Sequence, residues 1–126
     1  MKRVAVSVVL AVTLAGCGGG SDRPFTLAKT RSCLQKSPSV RIRGKLDFVA
    51  STATGGAVHV VMPDNAATVV FGVTLDDANN LNQAYHRFKG KNIGVEDVLR
   101  QNRNVVMLFH VHPSDDDLAA IEDCLS

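Results

Sequence analysis

The stretch at residues 104–111 (Asn-Val-Val-Met-Leu-Phe-His-Val) limits the architecture more than any other part of this chain. It is apolar on both alternating sides for most of its length, the pattern of a strand buried in the middle of a sheet. Pro113 ends it, since proline cannot donate to a ladder. Residues 57–62 and 67–73 are rich in β-branched side chains and read as two further strands. Pro63-Asp64-Asn65 supplies turn chemistry between them, so the two form a hairpin. Residues 46–52 read as another strand, 40–43 as a short edge strand, and Thr54-Gly55-Gly56 as a turn.

Three helices surround these strands. Residues 26–35 place Leu27, Thr30, Cys33 and Leu34 on one helical face. Thr74-Leu75-Asp76-Asp77 opens a second helix with a capping-box-like pattern, and Ala78, Leu81, Tyr85 and Phe88 form its apolar stripe. Gly90 is its expected stop, and residues 95–101 read as one or two more helical turns. Ser114 caps a last helix with Leu118, Ile121 and Leu125 inward and three Asp residues at its positive end. The expected fold class is α+β: a two-layer sandwich with a mainly antiparallel sheet of about four strands and helices on one face.

The N-terminus carries a different kind of signal. Lys2 and Arg3 precede an apolar run of about a dozen residues, too short to span a bilayer but suited to a secretory signal. The run ends in Leu14-Ala15-Gly16-Cys17, which resembles the lipobox of bacterial prolipoproteins at all four positions. The resemblance implies a signal peptide at residues 1–16 and cleavage before Cys17. It also implies diacylation of the Cys17 thiol by chains such as palmitate, and a mature protein lipid-anchored to a bacterial membrane outside the cytoplasm. Residues 17–24 then form a flexible tether whose reach is roughly 13–15 Å. Residues 25–126 form a single domain close to the membrane surface.

The implied export places Cys33 and Cys124 in an oxidising compartment. With Cys17 acylated, they are the only intramolecular pair left, and a bridge would link the terminal helices. Free buried thiols or an intermolecular pair are the alternatives. A redox role lacks a Cys-x-x-Cys motif.

Composition excludes several function classes. Removing Lys2 and Arg3 leaves 12 basic and 12 acidic residues, so a whole-domain nucleic-acid footprint is not expected. The absence of Trp and the single Tyr argue against aromatic platforms for sugars or bases. The charge is segregated, however. Residues 23–45 hold seven basic residues and no acidic one, and after Arg103 there are five acidic residues and no basic one. One reading pairs the basic first helix with the acidic last helix. The other turns Arg23, Lys29, Arg31, Lys36, Arg41 and Arg43 toward anionic headgroups or wall polymer.

Candidate chemistry is sparse. His110 and His112, two apart on a strand, project to one face and so form a candidate metal pair, with Asp115, Asp116 or Asp117 following. The alternative is a pair of solvated or partly buried imidazoles at a strand end. Nothing in the sequence places His59 or His86 near them. No Gly-x-Ser-x-Gly or phosphate loop occurs, and the two Glu residues fall on expected exposed helix faces. The expectation is a non-catalytic, cofactor-free binding domain at the cell envelope, with a membrane, envelope-protein or wall partner. A small metal-binding domain is the alternative.

Overall fold

The computed structural model describes residues 23–89 and 94–126. The expected signal peptide, Cys17, most of the tether and the Gly90 helix stop lie outside the described residues. The elements are α1 (Leu27–Lys36), β1 (Arg41–Ile42), α2 (Phe48–Ser51), β2 (Ala57–Val61) and β3 (Ala66–Phe71). They continue with α3 (Leu75–Lys89), α4 (Val95–Val98), β4 (Leu99–Asn102), β5 (Val105–Phe109) and α5 (Asp115–Glu122). The strands form one five-stranded sheet in the order β1-β2-β3-β5-β4, antiparallel at every pairing.

β3 is buried along its whole length and β5 along most of it, as their two-sided apolar pattern demands. The cross-strand register sorts their side chains into two cores. Val58, Val60, Ala67, Val69, Phe71, Val105, Met107 and Phe109 point one way, against Leu34 of α1, Ile121 of α5 and Cys124. Val70 and Val106 point the other way, against Val49 and Ala50 of α2 and Ala78 and Tyr85 of α3. The α+β class and the antiparallel sheet are thus as expected, with five strands in place of about four. The helices, though, divide between both faces instead of lying on one, because the central strands offer apolar side chains on both sides and each set needs a cover.

Two local expectations are corrected. Residues 46–52 are not a strand. Asp47 accepts the Ala50 N–H at 2.8 Å and caps the short helix α2, which buries Val49 and Ala50. Residues 95–101 are helical only through Val98. Leu99–Asn102 then pairs with β5 and satisfies the edge that β5 would otherwise expose.

The first described helix and the C-terminal segment are fastened together. Cys33 and Cys124 form a disulfide with Cα atoms 5.3 Å apart. The Thr26 N–H donates to the Ser126 carbonyl at 2.8 Å. Buried Asn104 clamps Phe25: its Oδ1 accepts the Phe25 N–H and its Nδ2 donates to the Phe25 carbonyl, both at 2.8 Å. At the other end of the sheet, Asn65 joins the β2–β3 turn to α5. Its Nδ2 donates to Asp117 Oδ2 at 3.0 Å and to the Val111 carbonyl at 3.1 Å.

Candidate functional site

The face covered by α2 and α3 is not fully closed. Over β2, β3 and the end of β5, beside α4, it opens into a groove with a cavity volume of about 600 Å³, lined by Lys45, Asp47, His59, Thr68, Val95, Val98, Leu108 and His110 among others. Strand alternation aims His59 of β2 at this face, opposite Thr68 of β3. His110 follows β5 directly and is held in register by its N–H, which donates to the Ala66 carbonyl at 2.9 Å. β3 runs between the two histidines and presents only Ala66 and Thr68 there. The small side chains leave room for both imidazoles to lean over the strand and meet. Their Nε2 atoms are 3.3 Å apart, with ring centroids at 5.3 Å and planes at 51°.

The His59 ring is fixed from behind. Its Nδ1 lies 2.6 Å from the Arg43 carbonyl, which can only accept, so Nδ1 carries the hydrogen. In the neutral pair, Nε2 of His59 is therefore the acceptor and Nε2 of His110 the donor. Gly44, in the left-handed region at φ 110°, permits this contact. A Cβ there would stand 2.6 Å from His59 Nδ1.

The groove wall is set by a polar clamp between α2 and α3. The buried Tyr85 hydroxyl donates to both oxygens of Asp47, at 2.9 and 3.1 Å. Burial chiefly, and then the Asp47 charge and hydrogen bond, push the Tyr85 hydroxyl far above the ordinary phenol range. It stays a donor, and Asp47 keeps its carboxylate oxygens engaged within the protein.

His110 and His112 go to different partners. His112 Nδ1 is 2.7 Å from Asp97 Oδ1 in a well-exposed pair, whereas His110 faces His59. His86 Nδ1 donates to the Asn82 carbonyl at 2.9 Å, and its Nε2 lies 3.8 Å from Glu96. Among the described residues, no three or more His, Cys, Asp or Glu side chains gather into a metal-binding group. The six basic residues singled out in the sequence are all exposed, and all but Arg23 lie on α1 and the β1 edge. Both ion pairs among the described residues involve histidine, and no Lys or Arg of α1 is paired with a carboxylate of α5 there.

Sequence reasoning missed His59 as the partner of His110. The parity of the β2–β3 hairpin assigns His59 a face. Only the adjacency of β3 and β5 brings His110 to that face, and a small residue between them is needed for contact. No family model matches the chain, and no curated protein or solved structure matches it significantly.

Proposed function

We propose that this chain is a bacterial lipoprotein whose folded domain serves as a non-catalytic binding module at the outer face of a membrane. One observation carries the reading. The Cys33–Cys124 bridge engages both thiols of the domain and suits an oxidising compartment, which leaves Cys17, in its lipobox, as the remaining cysteine. The lipid holds the mature N-terminus in the membrane, and a short tether keeps the domain within reach of the headgroups. The exposed cations Lys29, Arg31 and Lys36 of α1, Arg41 of β1 and Arg43 just after it, on neighbouring elements at the β1 edge of the sheet, favour an anionic surface as its contact. Each contributes on the order of 1 kcal/mol near such a surface.

The test is made in cells and on vesicles. Palmitate labelling and mass spectrometry of the mature N-terminus are expected to find acyl groups on Cys17, and Cys17→Ser is expected to abolish them and release the protein from membranes. An unlabelled wild-type chain overturns the anchor. The unlipidated Cys17→Ser protein is expected to sediment with vesicles containing anionic phospholipid, less so at high salt, and Arg41→Glu/Arg43→Glu to weaken this. Equal sedimentation with zwitterionic vesicles removes the basic surface from the reading.

A further inference from the structure

We propose that His59 and His110 form a chelating pair for a divalent transition-metal ion, zinc foremost, at the mouth of the groove. The inference rests on the groove geometry and is independent of the lipid anchor. Two imidazole nitrogens bound to one tetrahedral zinc at about 2.0–2.1 Å stand about 3.3–3.4 Å apart. The two Nε2 atoms are separated by 3.3 Å with no rearrangement of the fold. A square-planar site, with a right angle at the metal, needs about 2.8–2.9 Å and therefore fits less well.

The tautomer suits the same role. Metal ligation by Nε2 requires a lone pair there and is favoured when Nδ1–H is held by a carbonyl. His59 has this arrangement through the Arg43 carbonyl. His110 in the neutral, metal-free pair carries its hydrogen on Nε2. On binding, that proton passes through solvent to Nδ1 of the same exposed ring, so two neutral imidazoles take up the ion with no net proton release. The ring of His59 is also pre-oriented, being wedged against Gly44 where no other residue fits without displacing it. Lys45 and Asp47 both line the groove, so these two formal charges balance. Asp47 is occupied by Tyr85 and the Ala50 N–H. The two remaining tetrahedral positions fall to water or to a donor brought by a bound partner, so the chain supplies one ligand fewer than an open catalytic zinc site has.

The experiment is a titration of the untagged full chain with zinc, and with cobalt as a spectroscopic stand-in. It is run beside His59→Ala, His110→Ala, His112→Ala and Gly44→Ala, with the fold of each checked by circular dichroism. One ion per chain is expected, lost in His59→Ala and in His110→Ala and retained in His112→Ala. Gly44→Ala is expected to weaken binding at least tenfold. Nitrogen-15 spectra of the imidazoles are expected to show both Nε2 atoms shifting on zinc addition while His59 Nδ1 stays protonated. Absence of binding at millimolar zinc, undiminished binding in His59→Ala, or loss of binding in His112→Ala would each overturn the proposal.

Discussion

The two faces of the sheet are closed by different means. On one, α1 and α5 meet over a continuous apolar core and are joined covalently by Cys33–Cys124. On the other, α2 and α3 cover the centre with a smaller core and are joined by the Tyr85–Asp47 hydrogen bonds, and the remainder stays open as the groove that holds His59 and His110. The difference separates two tasks. The sealed face carries stability, so the open face is free to keep polar groups, water and two imidazoles near the surface.

The strongest way to break this division is to cut the covalent seal. Reduction, or Cys33→Ala/Cys124→Ala, is expected to lower stability by about 4–5 kcal/mol in urea unfolding. That is a large part of what a domain of this size possesses. A shift below about 1 kcal/mol would mean that the apolar contacts alone hold the sealed face. Phe71→Ala, in the sealed core, is expected to cost about 3–5 kcal/mol. Phe48→Ala, on the open side, is expected to stay within about 1 kcal/mol, since Phe48 is 70% exposed and touches Phe88 edge-on at 5.7 Å. Comparable losses from the two would erase the contrast.

Tyr85→Phe probes the polar clamp and is expected to cost about 1.5–3 kcal/mol, because it leaves Asp47 without its one hydroxyl donor. Its pH signature has a definite sign. The Tyr85 phenol is raised in the folded state, so its contribution is complete below the unfolded phenol value of about 10 and falls as pH rises beyond it. Alkaline unfolding is expected to be steeper in the wild type than in Tyr85→Phe, as followed by circular dichroism. Matching slopes would place the alkaline sensitivity elsewhere.

A smaller loss than at Tyr85 is expected at the cap of α5. Ser114→Ala removes the acceptor for the Asp117 N–H and is expected to cost about 1 kcal/mol in thermal unfolding. The Asn65 amide chiefly holds the Asp117 carboxyl below its ordinary range; burial opposes it, and the weaker Ser114 bonds add to the lowering. Its contribution is present above the unfolded value of about 3.9 and is lost as pH falls through the lower folded value. Asn65→Ala is expected to narrow the gap in stability between neutral and acid pH.

Most of the sheet was legible because β-branched, two-sided apolar runs have few alternatives. The 57–62 and 67–73 hairpin and the strand within 104–111 are of this kind. The same two-sided pattern already required covers on both faces, which the expectation of a single helical layer overlooked. Leu46 to Thr52 misled because Val49 and the aromatic Phe48 resemble strand residues, whereas the cap at Asp47 and its tie to Tyr85 decide the local structure. Leu99–Asn102 carries no β-branched residue, and the open edge of β5 recruits it into the sheet. Phe88 continued an apolar helical stripe yet remains 63% exposed, since period alone does not show where the neighbouring layer ends. The histidine site was half legible. His110 stood out, but its partner lies two strands away, a distance along the chain that no local spacing reports.

The bridge between α1 and the C-terminal segment also decides how the domain transmits force. A pull applied between the two termini enters at the segment before Cys33 and leaves just after Cys124, crossing between them through one covalent bond. The intervening chain, with a sequence separation of 91, is a closed loop that bears no tension. Roughly 300 Å of contour length is thereby withheld from extension. Stretched from its ends, the domain can unpeel only Phe25 to Ser32 and the last residues after Cys124, while the sheet and the groove ride as slack cargo.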